Sequence, residues 1–344
     1  MKGETRLRFF SDNTGTACPE ILAALTEANH GLVQAYGNDP WTRRLDDCLS
    51  AYFGTSVRAF PVATGTAANS LSIATLSPSY GLVFAHEEAH IANDECGAPG
   101  FFSGGAQISL LQGADGKITP AALAAALETH PVSVHTTQPT VLALSQATEL
   151  GTSYRPQEIA ALCQLAHDRG LKVQLDGARF ANSVAFLDCH PGDITWRAGV
   201  DVLSFGATKN GALTAEAVVF FNPEAVRDFE LRRKQSGHLL SKSRYVSAQL
   251  LAYVESGVWL RNARHANGLA QKVARAAGGL LMHPVEANEI FLALGQERKQ
   301  ALRQAGFEFY DWNAASSGQA RFVISWDQRE EDVAALCTAL EKLR

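Results

Sequence analysis

The chain has 344 residues, too many for one small core and enough for a two-domain enzyme of ordinary size. With 46% hydrophobic and 19% charged residues it is balanced as globular proteins are, and a net charge of −5 offers no basic field for nucleic acid. Six scattered cysteines (Cys18, Cys48, Cys96, Cys163, Cys189, Cys337) form no CxxC motif, which argues against a disulfide framework or a zinc cluster and for a reducing compartment.

In chain order, the opening MKGETRLRFFSDNTG carries charges but no apolar leader, and no apolar run is long enough to span a bilayer, so a cytoplasmic protein is expected. A helix is expected from Pro19 towards Gly31, and another after Asp39, which can cap it with Pro40 at the first helical position. Strands are expected at 58–62, 81–85, 140–144, 171–175, 200–205 and 217–221, with helices between them at 66–76, 120–129, 156–169 and 223–235. Strands spaced by such helices indicate an α/β fold with a largely parallel sheet covered on both faces. Beyond about residue 255 the rhythm changes to a helix at 259–277, a strand at 289–294, a helix to Ala305, a strand at 321–326 and a helix near 330–343. The expected organisation is an N-terminal segment (1–20), a large α/β domain (21–254) and a small C-terminal α+β domain (255–344).

Ligands of open α/β sheets sit beyond the carboxyl ends of the strands, so chemistry is sought just after apolar runs. Ala63-Thr64-Gly65-Thr66-Ala67-Ala68-Asn69 follows one such run. Gly65 lets a ligand come close, Thr66 offers a hydroxyl, and the helix start favours a phosphate; the same residues would also make a plain tight turn. Asp176, in Leu175-Asp176-Gly177-Ala178-Arg179, ends a buried strand, where a carboxylate needs a partner: a pyridinium N–H, Arg179, or a helix start. Lys209, in Gly206-Ala207-Thr208-Lys209-Asn210-Gly211, has small uncharged neighbours, so its amine can lie in a partly desolvated cleft and be neutral enough to attack a carbonyl. His86-Glu87-Glu88-Ala89-His90 spells the zinc signature H-E-x-x-H, but it follows a strand too closely for a long helix and has no evident third ligand. His90 alone, for stacking or proton transfer, is the preferred reading, and no metal is expected.

Together these pieces resemble the low-specificity L-threonine aldolases, pyridoxal-phosphate enzymes of the aspartate aminotransferase fold. The ordered set is Phe10-Ser11-Asp12-Asn13, Tyr36-Gly37-Asn38-Asp39, Thr64-Gly65-Thr66-Ala67-Ala68-Asn69, Ala89-His90 with Glu95 beyond, Asp176-Gly177-Ala178-Arg179-Phe180-Ala181-Asn182, Lys209 and Arg321. The resemblance implies a fold type I architecture, with a mostly parallel seven-stranded sheet sandwiched by helices and a smaller C-terminal domain. It implies that Lys209 carries pyridoxal 5'-phosphate covalently, that Gly65, Thr66 and Asn69 hold its phosphate, that His90 stacks on the ring and that Asp176 pairs with the ring nitrogen. Lys209, His90 and Asp176 would be catalytic, with His90 or a water it positions as the base. Ser11, Tyr36, Arg179 and Arg321 would meet the substrate, the arginines taking its carboxylate in planar forks of donors. Arg179 would also border the cofactor.

It further implies a homotetramer, a dimer of dimers in which Lys234 reaches a neighbour's cofactor phosphate; at a second such position stands Ser241, with Lys242 beside it. Ser145-Gln146-Ala147-Thr148-Glu149 stands where relatives often have Glu-Asn-Thr-His, so Thr148 replaces a histidine that recognises the substrate hydroxyl. The expected activity is cleavage of the Cα–Cβ bond of β-hydroxy-α-amino acids to glycine and an aldehyde. Rivals are phenylserine cleavage, serine hydroxymethyl cleavage or β-elimination on the same cofactor, a zinc hydrolase using His86, Glu87 and His90, and a binding protein that kept the fold without turnover.

Overall fold

The computed structural model describes residues 7–222 and 226–343. Strand β1 (Leu7–Arg8) leads into two helices, Pro19–Ala28 and Pro40–Phe53. The second starts as expected, with Pro40 in its first turn and the Asp39 carboxylate accepting the Thr42 N–H at 2.8 Å.

Seven strands then build one sheet: β2 (Arg58–Val62), β3 (Gly81–His86), β4 (Gln107–Leu111), β5 (Gln138–Ser145), β6 (Lys172–Gly177), β7 (Val202–Gly206) and β8 (Glu216–Phe220). Their order is β2-β8-β7-β6-β5-β3-β4, parallel throughout except that β8 runs against both β2 and β7. Six of these strands match the apolar runs within a few residues. β4 escapes a reading by apolar runs because it is an edge strand, with Gln107 and Leu110 exposed and only Leu111 buried. Helix Arg244–Glu255 was likewise unexpected, whereas the helix expected at 223–235 runs Val226–Gln235, its first expected residues lying outside the described ones.

The C-terminal part packs helix Val258–Ala277 and helix Glu330–Lys342 on an antiparallel sheet of β9 (Glu289–Ala293), β11 (Tyr310–Asp311) and β12 (Gln319–Val323). A separate short strand, β10 (Phe307–Glu308), pairs in parallel with β1, so the beginning of the described chain joins its C-terminal part. Two main cores result. One lies around the large sheet, with Phe53, Phe180 and Phe205 ring to ring; the other holds Phe9, Phe309, Phe322 and Leu336. Each such side chain contributes roughly 1.5–3 kcal/mol by leaving water. Among the described residues no helix is long and apolar enough to cross a membrane.

Candidate active site

Because β2, β3, β5, β6 and β7 run the same way, the loops leaving their carboxyl ends meet over one edge of the sheet. β8 runs the other way and therefore brings its first residue, Glu216, to the same edge, opposite Gly206 and Val62. Gly206 crosses the Asp176 loop so closely that a Cβ there would sit 2.9 Å from the Ala178 backbone. Small residues at this crossing are what bring the Asp176 and Lys209 loops together.

Two adjoining cavities open above this edge. The inner one, about 350 Å³, is lined by Thr64, Gly65, Thr66, Asp176, Ala178 and Glu216, among others. The outer one, about 740 Å³, is lined by Ser11, Arg179, Arg321, Tyr310, Trp312 and Glu88, among others. Four residues line both: Asn13, His90, Glu149 and Lys209.

At one end of the inner cavity, helix Gly65–Leu76 begins. Thr64 caps it by accepting the Ala67 N–H, which leaves the Gly65 and Thr66 N–H groups facing open space; a Cβ on Gly65 would meet nothing within 4 Å. At the other end, Asp176 is oriented by two donors, the Ala178 N–H at 2.9 Å and the Asn69 amide at 2.7 Å. Asn69 also donates to Glu95 at 2.8 Å and accepts from Gln174 at 3.0 Å, and Glu95 in turn meets His90 Nδ1 at 2.9 Å. This corrects one expectation. Both N–H donors of Asn69 are spent on carboxylates, so it orients Asp176 and Glu95 and has none left for a phosphate. The hydrogen bond to Glu95 raises the His90 pKa above its usual value, although burial opposes the shift.

Lys209 lies in a short turn after β7, and its amine makes no hydrogen bond to the described residues. Asp12, Glu149, Glu216 and Glu289 all feel its charge. In the outer cavity Arg179 is gripped from both sides. Asp12 takes its Nε and Nη2 at 2.8 and 3.0 Å, and Glu289 lies 3.2 Å from Nη1. Burial resists the charge on Asp12, but Arg179 and Lys209 outweigh it and hold the carboxyl below its usual range. Arg321 leans on Tyr310 and Trp312, reaches Glu289 only at 3.9 Å, and leaves Nε without a hydrogen bond.

Not every expected residue joins the cleft. Lys234 is exposed and stacks on Tyr36 at 4.6 Å, and Tyr36 lines a different hollow, with Asn38, Arg58 and Arg233. Thr148 is buried in its own turn, bonded to Thr152 and the Asp115 carbonyl, and lines neither cavity. His86 and His90 share no helix: His86 ends β3 with its ring bonded to the Gly113 carbonyl and the Glu88 N–H, and His90 opens a separate four-residue turn. Among the described residues no group of His, Cys, Asp and Glu could hold a metal, which removes the geometry the zinc reading required. The sequence reading assigned no role to Asp12, Glu149, Glu216 or Glu289. The available signal was an acidic residue at the end or head of an apolar run, Glu216 before Ala217–Phe220 and Glu289 before Ile290–Ala293.

Comparisons with known proteins agree with this architecture. The family model for beta-eliminating lyases matches residues 8–297. The chain is 45% identical, over 96% of its length and 95% of the relative's, to a low-specificity L-threonine aldolase of Pseudomonas sp. strain NCIMB 10558. A threonine aldolase structure from Leishmania major superposes with a TM-score of 0.91 at 24% identity, covering 98% of this chain and 99% of that one. An aspartate aminotransferase from Rhodobacter sphaeroides superposes with a TM-score of 0.74 at 17% identity, covering 100% and 94%; the shared architecture is fold type I.

Proposed function

The chain belongs to the beta-eliminating lyase family, alongside the low-specificity threonine aldolases, and from that premise we propose that it is a pyridoxal-phosphate-dependent lyase cleaving the Cα–Cβ bond of L-threonine, L-allo-threonine and related β-hydroxy-α-amino acids. The products are glycine and an aldehyde. One observation carries the reading: a lysine amine without a hydrogen bond at the junction of two cavities, one ending in an oriented carboxylate and the other in two guanidiniums.

The residues present fit the cofactor. Gly65 and Thr66 would hold its phosphate through free N–H groups and the Thr66 hydroxyl at a helix start. Asp176, aimed by Asn69 and Ala178, would keep a proton on the ring nitrogen, and His90, fixed by Glu95, would cover the ring. Lys209 would bind the cofactor covalently and release it when a substrate amine takes its place. When bound, the cofactor supplies an electron-poor ring that accepts the electron pair of the breaking bond. Arg179, Arg321 and Ser11 would take the substrate carboxylate, and fixing that group selects which bond at the α-carbon stands across the ring. The wider reading is of a cytoplasmic homotetramer in which Tyr36 and Lys234 serve a neighbour's cleft; its support is that the pair sits off the cleft of its own chain.

The test is proton NMR of the purified protein with pyridoxal phosphate and L-threonine. Glycine and acetaldehyde should appear in equal amounts, and their absence would overturn the reading. Lys209→Ala should lose both the visible absorption of the bound cofactor and all measurable turnover; a variant keeping both would remove Lys209 from its role.

A further inference from the structure

Breaking the Cα–Cβ bond of a β-hydroxy amino acid requires a group that accepts the hydroxyl proton, and that group must stand where the two cavities meet. Among the described residues four line both: Asn13, His90, Glu149 and Lys209. Asn13 has no basic atom. Lys209 is reserved for the cofactor. His90 is held through Nδ1 by Glu95 in the place already given to it, covering the ring. Glu149 remains.

Its position follows from how its turn is built. Gln146 is pinned by a two-way bond with the Tyr154 backbone and by its own N–H on the Asp176 carbonyl. Thr148 is locked inward on Thr152 and the Asp115 carbonyl. Gly151, at φ +75°, passes within 3.0 Å of the Glu289 backbone at the position where a Cβ would stand. A turn clamped at 146, 148 and 151 presents residue 149 to the cleft, and no hydrogen bond from the described residues is made to the Glu149 carboxyl. Resting on the proposed lyase activity, we infer that Glu149 is a catalytic residue of this chain, the base that takes the β-hydroxyl proton.

The step balances. The O–H bond breaks towards the carboxylate, and its electron pair becomes the second bond of the departing carbonyl. The Cα–Cβ pair stays on the α-carbon side and is quenched there by one proton, while Glu149 returns its own to solvent. Threonine thus leaves as glycine and acetaldehyde with no atom gained or lost. Burial and the neighbouring Glu289 push the Glu149 carboxyl up to about 7, so it is a far stronger proton acceptor than an exposed glutamate. Facing it are Lys209, Arg179, Asp176, Glu289 and His90, with Glu87 and Glu88 across the outer cavity.

Glycine has no hydroxyl to deprotonate, and it separates this role from a merely structural one. Glu149→Gln should slow threonine cleavage by on the order of 10²-fold or more. It should leave exchange of the glycine α-hydrogen in D₂O, and glycine affinity by calorimetry, within a few-fold of wild type. The rise of kcat with pH through about 7 should vanish in the variant. Unchanged cleavage, or parallel loss of cleavage and glycine exchange, overturns the assignment. If Glu149→Gln does not fold, Glu149→Asp decides: slower cleavage with a displaced pH limb supports the role, and an unmoved limb overturns it. A wild-type protein that exchanges glycine but never cleaves threonine would instead sink the lyase reading itself, and this inference with it.

Discussion

In the inner cavity Asp176, Asn69, Glu95 and His90 pass hydrogen bonds to one another in a continuous chain, whereas in the outer cavity the polar groups are crowded but poorly joined. The Nε of Arg321, which lines the outer cavity, is buried without a hydrogen bond, as are both oxygens of Glu289, beside Arg179 and Arg321, and the side-chain oxygen of Asn288, whose amide donates to Asp12. A buried polar group left unpaired costs roughly 1–3 kcal/mol, and the cost disappears if a ligand supplies the partner. The carboxylate end of the inner half is thus joined up before anything binds, as suits a group that stays, while the Gly65 and Thr66 N–H groups at its other end are left open. The outer half has bonding capacity left over, as suits a molecule that comes and goes.

The largest effect should come from breaking the joined-up end of the inner half. If Asp176 serves the ring nitrogen as proposed, Asp176→Asn should keep bound cofactor by absorbance yet lose on the order of 10²–10³-fold in kcat, since the charge is gone while the shape remains. Near-normal turnover would mean the chain of bonds around Asp176 is scaffolding only. In the outer half, Arg321→Ala should raise KM for threonine roughly 10- to 100-fold, the worth of one hydrogen bond to a charged group, with kcat much less affected. An unchanged KM would leave the carboxylate to Arg179, and the contrast between the halves would narrow.

The smallest effect concerns the acids around Lys209. Burial pushes Glu216, like Glu149, up to about 7. The folded chain therefore holds these protons more tightly than the unfolded one, so the stability they lend is full below the ordinary carboxyl range and is lost as pH rises through about 7. The raised His90 acts in the same direction and the lowered His238 against it. Tm of the cofactor-free protein should fall by a few degrees between about pH 5 and 8, and Glu216→Gln should flatten the fall. A Tm that rises over this range would mean these carboxyls are not held protonated.

The sheet was legible because strands buried on both faces read as apolar runs, and the Lys209, Asp176 and Gly65 loops were legible because they follow such runs. The edge strand β4 and helix Arg244–Glu255 were not. In β4 only Leu111 is buried; in the helix, Ser247 and Gln249 sit among the buried residues and blur the apolar stripe. Asn69 lines the inner cavity but donates to Asp176 and Glu95, because sequence spacing does not say which carboxylates a side chain will meet in three dimensions. The resemblance sets Thr148 in the place of a hydroxyl-recognising histidine, yet the turn swings Thr148 inward and Glu149 out towards the cavities, which spacing along the chain does not reveal.

The pairing of β1 with β10 has a consequence for how this cleft comes into being. Arg8 and Glu308 stand 300 positions apart, and just beyond β1 the Asp12 carboxylate reaches Arg179 across 167 positions. Closing loops of that length costs only slowly more entropy per added residue, but the contacts that reward it arrive late in the search for the native fold. Neighbouring strands can assemble the lysine and aspartate loops, whereas the clamp on Arg179 needs distant stretches of the chain to have found each other. Arg179 thus reports on completion of the whole fold: a molecule whose Leu7–Arg8 strand has not docked lacks the Asp12 grip that aims it.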